Sequence, residues 1–391
     1  MAESAIRFAG NGLKVQPPLS LYLHLPWCVK KCPYCDFNSH AAQGIPEAAY
    51  IDALLLDLER ALPDIWGRTI HTVFFGGGTP SLFSADGIDR ILTAVRTLTP
   101  LVPGAEITLE ANPGTVEAAR FKGFREAGVT RVSLGIQSFN PRHLKALGRI
   151  HDDMEARRAA GLAATHFDTF NLDLMVALPG QTLAEALSDI DTALSFQPPH
   201  LSAYHLTLEP NTPFGHTAPP NLPDDDLAAD MQQAIEARLN EAGMQHYETS
   251  AYARQNHASR HNLNYWQFGD YLGIGAGAHS KLSFHDRILR QMRTKHPQQY
   301  MDAVKQGTHL ADTRTLTRVD LPFEFMMNAL RLNQGVPAAL FEERTGLPLR
   351  VCAAALEQAS ARGLLLPDAA RLQPTLQGQN FLNDLLALFL P

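Results

Sequence analysis

The chain has 391 residues, of which 45% are hydrophobic and 19% are charged, and its formal charge is −7 at pH 7. This composition is typical of a globular protein with a sizeable core, and the length predicts one large domain plus a smaller one. The acidic balance argues against a nucleic-acid-binding surface, because phosphate binding needs clustered Lys and Arg.

Six β-rich runs alternate with helical patterns in the first half of the chain. The predicted strands are 20–25, 71–76, 106–111, 131–136, 170–176 and 201–207. Strands that alternate with helices predict βαβ units and a parallel sheet. Six units fit an incomplete barrel about as well as an open doubly wound sheet, but unusual residues recur at the carboxyl ends of successive strands, where a parallel barrel builds its active site. We therefore predict an α/β fold with an incomplete (β/α)6 TIM-like barrel.

The loop after the first predicted strand, CVKKCPYC, holds three cysteines in a C-x3-C-x2-C arrangement: Cys28, Cys32 and Cys35. In a reducing compartment such a cluster is more often metal-binding than disulfide-bonded. A [4Fe–4S] cube takes four thiolates, so three cysteines leave one iron open to an exogenous ligand. The spacing also allows a Cys3His zinc site that uses His24 or His40. Cys352 is interpreted as a small buried hydrophobe.

Glycines and polar residues follow the next predicted strands. The glycines of FFGGGTP let the backbone approach a ligand closely, although a tight turn explains such a run equally well. The other candidates stand at or just after later strands: Glu110, Gln137, Arg149 and Asp173. Each alone is an ordinary polar residue, but together they place two carboxylates, an amide and a guanidinium at one rim of the predicted barrel, which indicates a ligand site.

The pattern changes after residue 210. A turn-rich acidic stretch resembles a connector and is followed by a helix near 225–242 and by the sequences HNLNYW and GIGAGAHS. Beyond about residue 310, helices and two short strands predict a small, mainly helical, winged-helix-like domain with no sign of a DNA-reading surface. We predict three domains: a partial barrel with the cluster loop (1–210), a barrel extension and connector containing HNLNYW (211–309), and the C-terminal domain (310–391).

The cysteine loop resembles the cluster motif of radical S-adenosylmethionine (SAM) enzymes. In that family the open iron is chelated by the methionyl part of SAM, and an electron from the cluster cleaves the sulfonium. The longer set YLHLPWCVKKCPYC, FFGGGTPSLF, LEANPGT, SLGIQSF, LPGQT and YLGIGAGAHS is similar to the branch that contains oxygen-independent coproporphyrinogen III oxidase, over about residues 19–285. The resemblance implies seven SAM contacts: Tyr22, Gly78, Thr79, Glu110, Gln137, Arg149 and Asp173. Ala177 departs from the pattern, since relatives often have glycine there.

Three features favour the HemW-type heme chaperones within this branch. The oxidase has a further cysteine two residues after the triplet, where this chain has Asp36-Phe37, and it carries a long N-terminal extension, whereas 27 residues precede Cys28 here. The chaperones carry H-N-x-x-Y-W, which this chain matches as HNLNYW. The resemblance implies a protein that delivers heme to hemoproteins such as respiratory enzymes. Enzyme activity stays open, with the radical decarboxylation of coproporphyrinogen as the alternative.

The motif HNLNYW supplies the predicted heme-binding residues: His261, Tyr265 and Trp266. A neutral imidazole can ligate heme iron and aromatic rings can pack on the macrocycle, but core anchors around a hydrogen-bonded histidine explain the motif equally well. The sixteen histidines offer other axial ligands, and His24 is a candidate donor to the cofactor site.

The expected cofactors are a [4Fe–4S] cluster, SAM and heme. The expected partners are heme and recipient hemoproteins, and no nucleic acid is expected to bind. The chain is compatible with a homodimer. No uncharged apolar run approaches the roughly 18 residues of a membrane span, and the residues before Cys28 lack the apolar core of a secretory signal. We therefore expect a cytoplasmic protein, which lies at the inner membrane face if its recipients are membrane-bound.

Overall fold

The computed structural model describes residues 13, 15–41, 44–115 and 117–390. The strands in this part are β1 (Leu19–Leu25), β2 (Trp27–Cys28), β3 (His40–Ala41), β4 (Ile70–Gly77), β5 (Leu101–Ala111), β6 (Arg131–Gln137), β7 (Thr169–Val176), β8 (His200–His205), β9 (Gln245–Glu248), β10 (Ala251–Ala253), β11 (Asp270–Ile274), β12 (His279–Ser283), β13 (Ile288–Arg293), β14 (Leu310–Thr315), β15 (Val336–Pro337) and β16 (Arg371–Leu372).

The α-helices in the same part are α1 (Glu47–Ala61), α2 (Ala85–Leu98), α3 (Ala118–Ala127), α4 (Pro141–Ala146), α5 (Asp153–His166), α6 (Leu183–Ser195), α7 (Pro213–His216), α8 (Asp225–Glu241), α9 (Arg260–Trp266), α10 (Pro297–Gln306), α11 (Asp320–Ala329), α12 (Ala339–Thr345), α13 (Ala353–Ala361), α14 (Leu376–Asn380) and α15 (Leu382–Ala387). None of them is long and apolar enough to cross a membrane.

Twelve strands form one mixed sheet in the order β14-β13-β12-β11-β1-β4-β5-β6-β7-β8-β10-β9. The run from β1 to β8 is parallel throughout, which confirms the six predicted strands and the parallel sheet. The strand β11 adds to the free side of β1 in parallel, and β10 pairs antiparallel with β8 at the other end. Because β8 is followed by β10 and not by β1, the six parallel strands form an incomplete barrel.

Local sequence signals position the helices that cover the sheet. The helix α5 begins with a capping box, in which Asp152 accepts a hydrogen bond from the Glu155 N–H at 2.8 Å and the Glu155 carboxylate accepts one from the Asp152 N–H at 3.1 Å. Thr182 and Glu185 form the same arrangement before α6. Such caps satisfy N–H groups that have no partner within the helix, so each helix begins directly after its strand and loop.

The C-terminal unit has its own hydrophobic core, in which the Phe325 ring on α11 meets the Phe341 ring on α12 at 5.1 Å. Cys352 is buried in this core, as interpreted from the sequence. Two backbone hydrogen bonds pair residues 364–366 with residues 373–375 as a short antiparallel ladder. The mainly helical character predicted for this region is confirmed, and the winged-helix-like arrangement stays a prediction. The predicted boundary at residue 310 falls at the start of β14, an edge strand of the main sheet; the three-domain division stays a prediction.

A buried ionic cluster joins β11, β12 and the segment before β4. The Asp270 carboxylate accepts hydrogen bonds from Lys281 at 2.9 Å and from the Ser283 N–H at 2.8 Å, and it pairs with Arg68 at 2.8 Å. Burial opposes ionisation of Asp270, but Lys281 and Arg68 hold its pKa below the ordinary value. The Lys281 ammonium also lies 4.1 Å from the Phe268 ring centre, beside the C-terminal core.

The substitution Asp270→Asn is expected to destabilise the protein by about 3–5 kcal/mol, because it leaves buried Lys281 and Arg68 without their counter-charge. Urea unfolding followed by circular dichroism measures the change in the free energy of unfolding. The matched control is Asp286→Asn, whose pair with Arg287 is exposed and whose loss should cost less than about 1 kcal/mol. Equal effects of the two substitutions would show that the buried cluster does not stabilise the sheet.

Candidate functional site

A cavity of about 420 Å³ opens among the carboxyl ends of the parallel strands. Most of the residues singled out from the sequence line it: Cys28, Cys32, Cys35, Gly78, Thr79, Glu110, Gln137, Arg149 and Asp173. The structure therefore brings together residues up to 145 positions apart in the chain, because the carboxyl ends of parallel strands share one edge. Tyr22 lies elsewhere, on the wall of a second cavity.

The three cysteines follow β1: Cys28 ends the two-residue strand β2, and Cys32 and Cys35 lie in the irregular loop after it. The Asn38 side chain fastens this loop to the far side of the sheet, since it donates hydrogen bonds to the carbonyls of Ala276 and Lys295, each at 2.9 Å. The Thr79 hydroxyl donates to the Cys28 sulfur at 3.5 Å, and the Arg149 guanidinium donates to the Cys32 sulfur at 3.4 Å. These donors favour thiolate sulfurs, the form in which cysteine binds metal, although burial outweighs them at Cys28 and raises the pKa of its thiol.

The donor set fits an iron–sulfur cluster better than a single ion. Among the described residues, no three His, Cys, Asp or Glu side chains are close enough to share one metal ion. A cube binds each thiolate at a separate iron, so it needs wider spacing than one ion does. Of the two histidines proposed as zinc ligands, His24 has both ring nitrogens engaged, Nδ1 at 3.1 Å from the Tyr22 hydroxyl and Nε2 at 2.9 Å from the Asn38 carbonyl. His40 Nε2 has no hydrogen-bond partner among the described residues, but His40 forms no group of three close ligands with the cysteines.

Arg149 connects the cysteine loop to the sheet. One of its amino groups lies within 3.4 Å of both the Cys32 sulfur and the Tyr34 hydroxyl, and the other donates to the Gly135 carbonyl on β6 at 2.9 Å. Although burial disfavours a charged guanidinium, Tyr34 and Cys32 raise its pKa. The fixed cation therefore holds the loop at the cavity and places positive charge beside the sulfurs.

Glu110 and Asp173 place two carboxyl groups on the cavity wall. Burial and the nearby Asp173 raise the pKa of Glu110 to about 8, against a weaker opposing effect of the Gly77 N–H, which donates to it at 3.3 Å. Burial also raises the pKa of Asp173, although its carboxylate accepts hydrogen bonds from Ser133 at 2.9 Å and Asn171 at 2.7 Å. Such a wall favours a cationic ligand, which would stabilise both ionised carboxylates.

Two non-glycine residues at strand ends adopt left-handed backbone conformations. Gln137 ends β6 with φ of 68°, and Ala177 follows β7 with φ of 58°. This conformation costs an L-residue roughly 1–2 kcal/mol, whereas glycine adopts it freely. Ala177 therefore adopts a backbone conformation that a glycine would adopt without strain.

Close packing explains why glycines stand at and just after the end of β4. A Cβ on Gly78 would lie 2.5 Å from the Trp27 carbonyl oxygen, and Gly77 has φ of 111° with the His24 ring 2.5 Å from where its Cβ would be. The fold itself therefore requires glycine here. The predicted contact of Gly78 with SAM stays a prediction.

Alternate positions of three strands contribute cavity residues that the sequence analysis did not single out. They are Arg131, Ser133 and Gly135 on β6, Asn171 and Met175 on β7, and His200, Ser202 and Tyr204 on β8. The intervening residues, such as Val132 and Leu172, are buried in the main core. The sequence signal that identifies these residues is the alternation of polar and apolar residues within each strand, because successive side chains of a strand point to opposite faces.

The motif HNLNYW forms α9, and its histidine is buried. His261 Nδ1 lies 2.8 Å from the Thr72 hydroxyl and Nε2 lies 3.1 Å from the Tyr265 hydroxyl. Burial lowers the pKa of His261 to about 3. Trp266 lies under the Arg331 guanidinium at 4.3 Å. The predicted ligation of heme by His261 stays a prediction, and it requires one of these hydrogen bonds to break.

A second cavity of about 690 Å³ adjoins the first. Four residues line both cavities: Phe37, Ser39, Gly77 and Glu110. Its remaining wall comes from β1, the cysteine loop, α9, the region from β11 to the start of β12, and single residues after β8 and β13, and includes Tyr22, Tyr265 and His279. Of the predicted heme-binding residues, Tyr265 is the one that reaches this wall.

Comparisons with known proteins agree with this architecture. The radical SAM superfamily matches residues 22–193 and the HemN C-terminal domain matches residues 316–381. The chain is 52% identical to the heme chaperone HemW of Escherichia coli, over 96% of this chain and 98% of that protein. It is 50% identical to the heme chaperone HemW of Haemophilus influenzae, with the same coverage of each chain.

More distant proteins share the same fold. A mitochondrial radical S-adenosyl methionine domain-containing protein 1 of Mus musculus is 36% identical, over 95% of this chain and 87% of that protein. The structure of coproporphyrinogen III oxidase from Escherichia coli superposes with a TM-score of 0.81 at 23% identity, covering 96% of this chain and 90% of that one. At that identity the superposition shows the fold alone.

Proposed function

The chain belongs to the HemW heme-chaperone family of the radical SAM superfamily, and on this premise we propose that it binds heme and delivers it to hemoproteins. The observation that carries the proposal is the identity of 52% with a heme chaperone across nearly the full length of both chains. It extends over the cysteine loop, the sheet and the C-terminal unit alike.

Cys28, Cys32 and Cys35 are the proposed ligands of a [4Fe–4S] cluster. When bound, the cluster supplies an open iron and a one-electron reductant for SAM. The chain's own part is to hold the loop through Asn38 and to donate hydrogen bonds to two of the sulfurs from Thr79 and Arg149.

SAM is the proposed occupant of the cavity of about 420 Å³. Its permanent sulfonium charge suits a wall with two carboxyl groups, Glu110 and Asp173, whose ionised forms are disfavoured without a counter-charge. Gln137 and Thr79 add an amide and a hydroxyl at the same rim. Tyr22 is a proposed contact through the shared wall between the two cavities.

Respiratory hemoproteins are the proposed recipients of heme. Recipients in a membrane would bring this chain to the inner membrane face as a peripheral partner in the cytoplasm. A homodimer is the proposed assembly. The alternative is radical decarboxylation of coproporphyrinogen, which is tested beside the chaperone proposal because coproporphyrinogen III oxidase shares this fold.

Anaerobically reconstituted protein is expected to bind hemin in a complex that survives gel filtration and shows a shifted Soret band. The same preparation, incubated with coproporphyrinogen III, SAM and dithionite, is expected to release no protoporphyrinogen, because Phe37 stands where the oxidase has its additional cysteine. Porphyrin fluorescence after oxidation of the products measures this reaction.

A coproporphyrinogen III oxidase preparation assayed in parallel serves as the positive control. Turnover of coproporphyrinogen at a rate near that control would replace the chaperone proposal by the oxidase alternative. Failure of hemin to co-elute with protein that carries its full complement of iron would remove the heme function itself.

A further inference from the structure

The second cavity has the dimensions and lining of a macrocycle site. Its volume of about 690 Å³ lies within the range of roughly 300–1,000 Å³ found for cofactor pockets. The walls carry four aromatic rings, three histidines and two exposed lysines, together with two carboxyl groups, those of Asp36 and Glu110. This combination of apolar surface, cations and imidazoles suits a flat apolar ring with anionic substituents.

The histidines around this cavity differ in what their ring nitrogens contact. The nitrogens of His24 and His261 are all within hydrogen-bond distance of partners. His40 Nε2 is buried without a partner in the described residues, and its ring packs edge-on against His296 at 5.6 Å. His279 is exposed, and in the described part of the chain neither of its ring nitrogens has a hydrogen-bond partner. Of the three histidines that line the cavity, His279 is therefore the one whose ring is both exposed and free of hydrogen bonds in the described part of the chain.

The backbone of His279 is fixed by its position at the start of a paired strand. It begins β12 and pairs with Met292 on β13. The Ala278 carbonyl beside it accepts a hydrogen bond from the Arg293 N–H at 2.9 Å, and Arg293 is held by buried Asp57 at 3.2 Å. A ligand on a sheet is held in place more accurately than one on a free loop.

Phe37 and Tyr265 supply aromatic surface on other walls of the cavity. Phe37 is 61% exposed although it is a large apolar ring, and it lines both cavities. The Tyr265 ring packs edge-on against the Tyr271 ring, with 4.5 Å between the ring centres, and the Tyr265 hydroxyl lies within hydrogen-bond distance of His261 Nε2. Burial of these rings against a macrocycle would stabilise the complex through removal of apolar surface from water.

Two lysines are placed to receive carboxylates. Lys31 on the cysteine loop and Lys295 after β13 both line the cavity and are both exposed. Lys31 donates a hydrogen bond to the Phe37 carbonyl at 3.0 Å, which holds its ammonium beside the Phe37 backbone. Lysine ammonium groups pair with the carboxylates of an amphipathic ligand while its apolar face packs inside.

We propose that this second cavity is the heme site, with His279 as the axial ligand, Phe37 and Tyr265 against the macrocycle, and Lys31 and Lys295 at the propionates. The assignment rests on the proposed heme function. It places the macrocycle beside the cluster cavity, because Phe37, Gly77 and Glu110 are shared walls. In this arrangement HNLNYW acts as support, with His261 holding Tyr265.

Hemin titration of the full-length, anaerobically reconstituted protein tests the assignment. His279→Ala is expected to weaken hemin affinity by roughly 10- to 100-fold, the range seen when a metal site loses a supporting group. Added imidazole should restore the absorption spectrum of the wild-type complex. His279→Met should keep binding but shift the Soret band, because a thioether replaces the imidazole.

The matched control is His285→Ala, an exposed histidine between β12 and β13 that does not line the cavity. It should leave affinity and spectrum unchanged. Lys31→Ala with Lys295→Ala should weaken binding several-fold and reduce its dependence on salt. Iron content and thermal melting of each variant confirm folding, since His279 is exposed and none of these substitutions empties the core.

The possible results separate the two proposals. If wild-type protein with its cluster fails to bind hemin, the heme function itself fails. If wild-type protein binds hemin and His279→Ala binds it equally well with the same spectrum, the location is wrong and the heme function stands. Loss of binding in His261→Ala together with unchanged binding in His279→Ala would place the ligand on α9 instead.

Discussion

Replacement of Cys32 by alanine is expected to abolish cluster assembly. The three thiols are the only cysteines that line the cavity, and a cube held by two thiolates would lose a third of its protein ligands and the hydrogen bond from Arg149. Iron and sulfide should fall from about four of each per chain to near zero. Iron analysis and the charge-transfer absorbance after anaerobic reconstitution measure the loss.

The control for this substitution is Cys352→Ala. Cys352 is buried in the separate core of the C-terminal unit, and burial raises the pKa of its thiol to about 11, so it stays protonated and binds no metal. Its replacement should leave iron and sulfide unchanged. Full cluster content in the Cys32→Ala protein, or stoichiometric zinc in the wild-type protein, would contradict the assignment of the triplet to an iron–sulfur cluster.

The affinity for SAM is expected to rise with pH, because Glu110 must lose a proton to face a cation. With a pKa of about 8 in the free protein, the carboxyl is mostly protonated at pH 7. Below pH 8 the affinity should therefore fall by up to about tenfold per pH unit. Binding at pH 7 should release about one proton, which calorimetry in buffers of different ionisation enthalpy measures directly.

Glu110→Gln is expected to weaken SAM binding by roughly 10- to 100-fold and to flatten its pH dependence, since the amide cannot ionise. The same substitution should raise the stability of the free protein at pH 8. The folded state keeps a proton on Glu110 between about pH 4.5 and 8 that the unfolded state has lost, so stability falls as pH rises through this range. Thermal melting from pH 5 to 9 measures the difference.

Glu126→Gln is the control, because Glu126 is an exposed residue of α3 whose partner Lys122 is also exposed. It should change neither the SAM affinity nor the pH profile. A Glu110→Gln protein that binds SAM with wild-type affinity and a wild-type pH profile would remove Glu110 from the site.

The Asp36-Phe37 dipeptide lies where the two cavities adjoin. The resemblance to the oxidase branch implies a cysteine in the oxidase at the position where this chain has Phe37. In the structure Phe37 stands between the cluster cavity and the second cavity and is largely exposed. An aromatic ring at this position offers packing surface to a bound macrocycle, whereas a thiol would offer a further reactive group.

Much of the fold and of the cluster cavity could be predicted from the sequence because both depend on local patterns. Each parallel strand is a short apolar run between turn signals, and the residue that ends it necessarily reaches the shared carboxyl edge. Glu110 and Gln137, at the ends of β5 and β6, could therefore be placed together before any tertiary contact was known. Asp173 lies three residues before the end of β7 and joins them because alternate side chains of the strand face the cavity. The inward-facing Ser133 and Asn171 were available from the same alternation.

The tertiary structure alone decided what lies outside the six βα units. The cysteine loop is fastened by Asn38 to residue Ala276, 238 positions later, and His261 is buried against Thr72, 189 positions earlier. No local pattern specifies such pairings, because they depend on β11 adding to β1. That pairing creates the second cavity, buries the histidine of HNLNYW and leaves His279 open to a ligand.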